Sequence, residues 1–329
     1  MNNEEQLAAL QTYFDLMSMN GGARLYRASV ESGIIAALAA GPATPASVAT
    51  ACGLQERPVG LLLDGLCSLG VATRGDDGFA LAPVMQLLSG NYKNLGDEYW
   101  DHLPVLLKTG VPIARMDDAT QSEALYQKQV TALAWMMKPS AEAMAMSLGI
   151  GKARKGLNIL DVGAGSAIWS LTLAAKDPAS TVTALDWPAV LKVAEGFAQQ
   201  MGVTSRFTTL PGNCHDVALP DSAFDLAIVA NVTHIETPEG NIDIFRRVHR
   251  ALRPGGELAV IDVLAGQPRG DLSRSLYAMG LALRTEKGHV YSREELESLL
   301  TQAAFPQATF HALPVPPFTM GILLAKKSA

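Results

Sequence analysis

Cysteine is scarce in this 329-residue sequence, and no uninterrupted run of apolar residues reaches the length of a membrane span. The three cysteines are Cys52, Cys67 and Cys214, an odd number without a Cys-x-x-Cys pair. This usage favours a reducing compartment and predicts no structural metal. The first residues also lack the basic and apolar blocks of a secretory signal, so we expect a soluble, cytoplasmic protein without a membrane partner.

An excess of positive charge is also absent. The chain has 26 lysines and arginines against 32 aspartates and glutamates, which gives a formal net charge of −6. Proteins that bind nucleic acid or anionic lipid usually show a basic surface, so we expect neither partner. Hydrophobic residues make up 48% of the chain, which is enough for a substantial core, and the length predicts one or two domains.

The middle of the chain carries the most specific pattern. Residues Asn158–Val162 predict a buried strand, Gly163-Ala-Gly165 predicts a tight turn, and a helix is expected to follow. A second predicted strand ends on Asp186. A glycine turn lets a ligand lie against the backbone at a helix N-terminus, and an acid at that strand end can accept hydrogen bonds from both ribose hydroxyls. The pattern indicates a nucleoside-binding α/β domain.

The glycine spacing distinguishes between classes of nucleoside. Ile168 stands where a dinucleotide fingerprint needs its third glycine, and no Gly-Lys-Ser/Thr follows to cradle phosphates. The turn fits the Asp-x-Gly-x-Gly of enzymes that bind S-adenosylmethionine (SAM), with Asp161 facing the ammonium group and Asp186 the ribose. A tight turn with an incidental acid is the simpler alternative. The candidate cofactor-binding residues are Asp161, Gly163, Gly165, Asp186, Trp187, Gly212, Asn213, Cys214 and Asn231.

The first hundred residues predict a separate, mainly helical domain. Helices are expected over Leu25–Leu38, Pro45–Gly53 and Arg57–Leu69, and a hairpin over Val71–Pro83. This order is typical of a winged helix-turn-helix. The helix in the recognition position is mainly leucine, glycine and valine, whereas a helix that reads a DNA groove needs several Lys, Arg, Asn or Gln. We therefore expect a dimerisation domain, with DNA binding as the alternative.

The segment after this domain is expected to be helical and is rich in methionine and aromatic residues. Such side chains either pack helices together or line an apolar substrate pocket. Candidate pocket residues, here and later in the chain, are Tyr126, Trp135, Met136, Tyr277 and Met279. We divide the chain into a winged-helix dimerisation domain (1–95), a helical linker or substrate lid (96–148) and a SAM-binding domain (149–329).

The second half of the chain alternates predicted strands and helices, which implies a doubly wound, mostly parallel sheet. Residues 308–313 and 319–325 predict a closing antiparallel hairpin. His234 is the candidate general base, because imidazole exchanges protons near neutral pH, and Asp262 is the candidate that orients it. Ligands lie at the carboxyl ends of parallel strands. Polar residues expected at these ends are Asp161, Asp186, Asn213, His234 and Asp262.

Three motifs carry a resemblance to a known family. They are Leu160-Asp-Val-Gly-Ala-Gly165, Leu185-Asp-Trp-Pro188 and Leu252-Arg-Pro-Gly-Gly256. Over nearly its whole length the chain resembles the two-domain small-molecule O-methyltransferases, which include the caffeic-acid, acetylserotonin and bacterial natural-product enzymes and the bacteriochlorophyll C-20 methyltransferase. The resemblance implies a class I methyltransferase fold with a Rossmann-like sheet and an N-terminal winged-helix domain. It also implies SAM as methyl donor, a homodimer, and a histidine base at the place of His234.

The sequence departs from this family around the base. Many members have His-Asp-Trp, whereas Ile235-Glu236 follow the histidine here. Asn213 replaces the usual acid after the third strand, Asp262 replaces a glutamate, and Val290 stands where a second acid often flanks the histidine. The leading hypothesis is methyl transfer to a hydroxyl of a small, largely apolar or aromatic metabolite. The alternatives are transfer to carbon or nitrogen without a strong base, and a ligand-responsive DNA-binding regulator.

Overall fold

The computed structural model describes residues 2–89, 93–265, 272–313, 315–316 and 320–328. Contacts along the chain divide it into two compact units, Met1–Gly96 and Asp97–Ala329. Across the described ranges, every helix is too short or too polar to cross a membrane.

The N-terminal unit is mainly helical. The predicted helix over Leu25–Leu38 is wrong in its bounds, because Gly33 adopts a left-handed φ of 80° within it. Glycine takes this conformation without strain, so the chain turns there and two helices form instead of one. The elements are α1 (Asn3–Glu31), α2 (Ile34–Ala39), α3 (Pro45–Cys52), α4 (Glu56–Ser68), β1 (Ala72–Gly75), β2 (Gly78–Leu81) and α5 (Met85–Leu88).

Helix α1 begins much earlier than the sequence pattern predicts. The side chain of Asn2 accepts a hydrogen bond from the Glu5 N–H at 2.8 Å, and the Glu5 carboxylate accepts one from the Asn2 N–H at 2.8 Å. This capping box satisfies two backbone donors at the helix start. The apolar side chains of the first half do not form a buried stripe, and those exposed include Leu7, Leu10, Tyr13, Phe14, Leu16 and Met17.

The other expected elements of this unit are confirmed. Helices α3 and α4 lie within two residues of their predicted bounds, and β1 pairs with β2 as an antiparallel hairpin. Leu63 and Leu66 of α4 and Phe79 of β2 are fully buried in the core of the unit. The order of helices and hairpin is therefore the one expected of a winged helix.

The second unit is built around a seven-stranded sheet with the order β5-β4-β3-β6-β7-β9-β8. Strands β3 to β7 pair in parallel, and β9 pairs antiparallel with both β7 and β8. This confirms the doubly wound sheet with a closing hairpin; Thr319, where the second hairpin strand is predicted to begin, lies outside the described residues. The strands are β3 (Asn158–Val162), β4 (Thr181–Asp186), β5 (Phe207–Pro211), β6 (Phe224–Ala230), β7 (Leu252–Val263), β8 (Ala308–Ala312) and β9 (Met320–Lys326).

Helices cover both faces of this sheet. Ile159 and Leu160 are adjacent on β3, and they are buried in two different apolar clusters. Burial on both faces is what a parallel sheet covered by helices requires. The helices of the unit are α6 (Asp97–Trp100), α7 (Leu103–Thr109), α8 (Ala119–Ser147), α9 (Ile168–Lys176), α10 (Pro188–Gln200), α11 (Pro238–Ala251), α12 (Leu272–Arg284) and α13 (Arg293–Gln302).

Strand β7 starts earlier than expected. The sequence predicts a turn at Arg253–Gly256 and a strand from Glu257, but the strand begins at Leu252, directly after α11. Leu252 pairs with Phe224, and the register then shifts before Leu226 pairs with Glu257. The glycines therefore form an irregular stretch inside the strand, where such residues are often found.

The strand order reverses at β3, which pairs with β4 on one side and β6 on the other. In open α/β sheets, ligands bind in the crevice beyond the carboxyl ends of the strands at this point. The loops after β3, β4, β5 and β6 are therefore the place to look for the functional site.

Candidate functional site

The glycine turn after β3 is packed tightly against its neighbours. Gly163 has a φ of 65°, and a Cβ atom at this position would lie 2.5 Å from a methyl carbon of Val232, in the loop after β6. The N–H groups of Gly163 and Ala164 donate hydrogen bonds to the Leu185 carbonyl at 2.9 and 3.1 Å. Both the conformation and the close approach require glycine. The turn thus leaves its upper surface free for a ligand.

Asp186, at the end of β4, holds this turn in place by hydrogen bonds to backbone N–H groups. Its carboxylate accepts hydrogen bonds from the N–H of Gly165 at 2.8 Å and from the N–H of Trp187 at 2.7 Å. Burial raises the pKa of Asp186 to about 6, and these two hydrogen bonds oppose the rise. The carboxylate lines a cavity, so it can also accept hydrogen bonds from a ligand.

Asp161, one residue before the end of β3, is buried beside α9. Its side chain is buried and accepts a hydrogen bond from the Ser170 hydroxyl at 2.5 Å, and it is not among the residues that line the cavity. Burial raises the pKa of Asp161 to about 7. The Asp161 side chain contacts Ser170 of α9, and its contact with a ligand ammonium stays a prediction.

A cavity of about 290 Å³ opens above the turn. One wall is a stripe of α8 side chains at helical spacing: Tyr126, Val130, Leu133 and Met137. Of these four, only Tyr126 is among the pocket residues that we predict from the sequence. The spacing of three to four residues between them would have indicated that all four share one face of a helix. The predicted cofactor-binding residues that line the cavity are Gly163, Gly165, Asp186, Trp187, Gly212, Asn213, Cys214 and Asn231.

The other predicted pocket residues lie elsewhere. Trp135 is 49% exposed, and Met136 packs against the main apolar core rather than the cavity. Both residues lie on other faces of α8 than the stripe that lines the cavity, so their side chains point away from it. On α12, Tyr277 packs against His234, and Met279 is half-buried without lining the cavity.

His234 and Asp262 form a buried pair. The His234 Nδ1 atom lies 2.8 and 3.0 Å from the two carboxylate oxygens of Asp262, and the two side chains are 11% and 2% exposed. Because a carboxylate only accepts hydrogen bonds, the proton lies on Nδ1 and the Nε2 lone pair is free to accept one. The hydroxyl of Thr233 donates to Asp262 at 2.6 Å and fixes its orientation. Val232, Ile235 and Glu236 of the same loop line the cavity, whereas His234 and Asp262 are not among its lining residues.

A second histidine, His215, lies in the cavity wall after β5. Its Nδ1 is 2.9 Å from Asp243 and its Nε2 is 3.2 Å from Glu236. The hydrogen bond to Glu236, together with that to Asp243, raises the pKa of His215 to about 9, so the ring is a cation at neutral pH. The sequence indicates only that this residue could flank the adenine of a nucleoside.

Cys214, His215 and Glu236 also have ligand atoms within 4.8 Å of one another, a spacing that could hold a metal ion. Burial raises the pKa of the Cys214 thiol to about 12, which disfavours the thiolate that a metal needs. Both ring nitrogens of His215 already bind carboxylates. The hydrogen bonds of the group are satisfied without an ion.

The residues of the cavity fit SAM. The glycine turn leaves room for the nucleoside, Asp186 presents a carboxylate where the ribose of such ligands lies, and three acidic residues line the wall. Fold and cavity together define a SAM-dependent methyltransferase.

Comparison with known proteins identifies the family. The O-methyltransferase domain matches residues 135–306, which is about half of the chain, and the chain belongs to this family. Over 314 residues it is 25% identical to the demethylspheroidene O-methyltransferase of Cereibacter sphaeroides, covering 89% of this chain and 81% of that protein.

Two further similarities add detail. Over 172 residues the chain is 30% identical to the L-tyrosine C(3)-methyltransferase of Streptomyces lavendulae, a match that covers 51% of this chain and 47% of that protein. The chain thus spans about half the length of this relative. The structure of human N-acetylserotonin methyltransferase in complex with SAM matches with a TM-score of 0.74 and 21% identity, covering 100% of each chain. That likeness shows the fold.

Proposed function

We propose that the protein transfers the methyl group of SAM to a hydroxyl of a small, largely apolar or aromatic metabolite, with His234 as general base. The observation that carries the proposal is the buried His234–Asp262 pair, whose histidine belongs to the loop after β6 that lines the cavity. Among the described residues, the one hydrogen-bonding partner of His234 Nε2 is the Tyr277 hydroxyl, at 3.4 Å. This contact is long, so a bound hydroxyl could replace it and give its proton to Nε2.

Each residue has a defined task in this reaction. Bound SAM supplies an activated methyl group on a positively charged sulfur. The glycine turn and Asp186 hold the donor, and the α8 stripe excludes water from the cavity, so donor and acceptor meet in a fixed orientation. Asp262 accepts a hydrogen bond from the Nδ1–H of His234, which leaves the Nε2 lone pair for the acceptor hydroxyl. His234 then takes the hydroxyl proton as the oxygen attacks, and Asp262 stabilises the resulting imidazolium.

Isotope-labelled SAM tests this proposal. The protein is incubated with SAM carrying a ¹³C-methyl group and an extract of its native host, and the labelled product is identified by mass spectrometry and NMR. We expect the label on oxygen. His234→Ala should lower kcat by at least about a hundredfold. His289→Ala is the matched control, because that side chain is 53% exposed. A loss of less than about tenfold for His234→Ala would exclude the general base.

Transfer to carbon is the second candidate. It is favoured by the similarity to an L-tyrosine C(3)-methyltransferase and by Val290, which stands where O-methylating relatives often have a second acid. A phenol ring carbon is already nucleophilic and has less need of a base. The same labelling experiment decides, because the ¹³C shift of a methyl on carbon is well separated from that of a methoxy group.

We also propose that the protein is a homodimer formed through its N-terminal unit. Leu7, Tyr13 and Leu16 of α1 are 59%, 58% and 60% exposed, and α1 carries further exposed apolar residues nearby. Large exposed apolar patches mark interaction surfaces. Light scattering after size exclusion should give twice the mass of the 34.8 kDa chain. Leu16→Glu should shift the protein to the monomer, and a wild-type monomer would contradict the proposal.

A further inference from the structure

The adenine of bound SAM needs partners on the β5 side of the cavity. In the sheet, β4 lies between β3 and β5, so Asp186 at the end of β4 has the glycine turn on one side and the loop after β5 on the other. With the ribose at Asp186, the amino-acid chain of SAM lies over the glycine turn. The adenine then extends toward residues 212–215 of the loop after β5, which line the cavity.

Glu236 brings a free hydrogen-bond acceptor to this end of the cavity. It belongs to the loop after β6 and lines the cavity, and its Oε2 atom lies 3.2 Å from Nε2 of His215. Within the part of the chain that the structure describes, its other oxygen, Oε1, accepts no hydrogen bond. Both ring nitrogens of His215 face carboxylates, and the Asn213 side-chain oxygen accepts the His215 backbone N–H at 2.9 Å. Of these three side chains, Glu236 has an oxygen that is wholly unused.

The position of the Glu236 carboxylate is fixed by its surroundings. The His215 ring holds one oxygen, and the Tyr291 hydroxyl donates to the Glu236 carbonyl at 2.8 Å. A Cβ atom at Gly240 would lie 2.6 Å from Oε2, so a larger residue there would displace the carboxylate. An acceptor that is already held in place loses little freedom when a ligand binds. Glu236 stands where many relatives have the tryptophan of His-Asp-Trp, so this arrangement is a feature of this chain.

A carboxylate can only accept hydrogen bonds, and the exocyclic amine of adenine can only donate them. Hypoxanthine has a carbonyl oxygen in place of this amine, which would face the carboxylate as a second acceptor and leave both without a partner. We propose that Glu236 accepts a hydrogen bond from the adenine amine of SAM and makes the cofactor site selective for an aminopurine over an oxopurine. This role concerns the methyl donor, so it holds whichever atom of the acceptor is methylated.

A matched pair of ligands tests the assignment without turnover. S-adenosylhomocysteine and S-inosylhomocysteine share the ribose and the amino-acid chain and differ at the purine amine. Both are titrated calorimetrically into the full-length protein. We expect the adenosine compound to bind at least about tenfold more tightly, since a hydrogen bond to a charged group is lost in the inosine compound. Glu236→Gln should reduce this preference to less than about threefold, because an amide can accept from an amine or donate to a carbonyl.

The controls separate selectivity from a structural role, which would weaken both ligands alike and leave their ratio unchanged. Asp243→Asn removes the other carboxylate beside His215, which is not among the described residues that line the cavity, and should retain the preference.

Glu236→Asp keeps the charge but withdraws it by one methylene, so it should also lower the ratio, and it decides the test if Glu236→Gln does not fold. Equal binding of the two ligands to the wild type, or an unchanged ratio in the Glu236 variants, would overturn the inference. A methyl group found on carbon in the labelling experiment would leave these ratios unchanged and would count against the proposed function instead.

Discussion

Two loops at the carboxyl edge of the sheet each hold a histidine against acids, and they differ in one respect that decides their chemistry. After β6, the ring of His234 has one nitrogen bound to the buried carboxylate of Asp262 and the other weakly occupied by Tyr277. After β5, both nitrogens of His215 bind carboxylates, Glu236 and Asp243, and the ring is 29% exposed. The first ring can exchange a proton, whereas the second is fixed as a cation.

The comparison teaches that the presence of a histidine does not by itself indicate a general base. The burial of the ring and the number of carboxylates bound to it decide whether a ring nitrogen is available for proton transfer. Glu236 is only two residues beyond His234 and yet belongs to the other cluster. The contact between Glu236 and His215 therefore links the loop that carries the candidate base to the loop after β5, which lines the cavity. We expect substitutions near His234 to act on the chemical step and those near His215 to act on cofactor binding and stability.

The largest difference in kcat is expected between variants that neutralise a carboxylate beside His234 and variants that neutralise one beside His215. Asp262→Asn replaces a carboxylate that only accepts hydrogen bonds with an amide that can also donate, which lets the ring adopt the wrong tautomer, so kcat should fall by about a hundredfold or more. Glu236→Gln keeps its shape and lies next to a ring that takes no part in proton transfer, so kcat should fall by less than about tenfold. Steady-state kinetics with the acceptor found by labelling measures both. Equal losses would show that the two clusters act as one.

A stability difference of about 1 kcal/mol is expected from His215 as the pH changes. Its pKa is about 9 in the folded protein and about 6.5 in the unfolded chain, so the folded state binds this proton more tightly. The stabilisation is complete below about pH 6.5 and is lost as the pH rises through 9. The magnitude is reduced because the side chain is 29% exposed.

Urea unfolding of wild type and His215→Gln between pH 7.5 and 9.5 checks this. Asp161 and Asp186, with pKa values of about 7 and about 6, are ionised over most of that range and do not interfere. The free energy of unfolding of the wild type should approach that of the variant as the pH rises. A difference that stays constant with pH would mean that His215 is not a cation in the folded protein.

The same substitution, His215→Gln, is also expected to weaken the binding of SAM, which is a smaller effect. The His215 ring bridges Glu236 and Asp243, and His215 and Glu236 line the cavity. The backbone N–H of His215 donates to the Asn213 side chain at 2.9 Å and is kept in the variant. Loosening this wall in His215→Gln should raise KM for SAM by about three- to tenfold and leave kcat within about twofold of wild type. Titration with S-adenosylhomocysteine gives an independent affinity. A fall in kcat with unchanged KM would assign His215 to the chemical step.

The sequence predicts the cavity better on the cofactor side than on the acceptor side. The glycine turn and Asp186 follow from strand–turn–helix patterns, whose side chains point to fixed faces. For Asp161 the sequence places an acid near the end of β3 but does not predict its hydrogen bond to Ser170, because a single residue of register decides which face of the sheet a side chain meets. Trp135 was predicted in the pocket but is exposed, because helix phase, rather than side-chain type, decides which α8 residues face inward.

The smallest effect is expected for the Tyr277 hydroxyl, which distinguishes a packing role from participation in proton transfer. The oxygen lies 3.4 Å from both nitrogens of His234, so it is in line with neither the Nδ1–H bond nor the Nε2 lone pair, and the hydrogen bond is weak. Tyr277→Phe keeps the edge-to-face ring contact and should change kcat by less than about threefold. Tyr277→Ala removes the ring that holds the imidazole and should lower kcat further. A loss of kcat beyond about tenfold in Tyr277→Phe would instead place the phenol in the path of the proton beside His234. The availability of Nε2 would then no longer explain by itself why His234, and not His215, acts as the base.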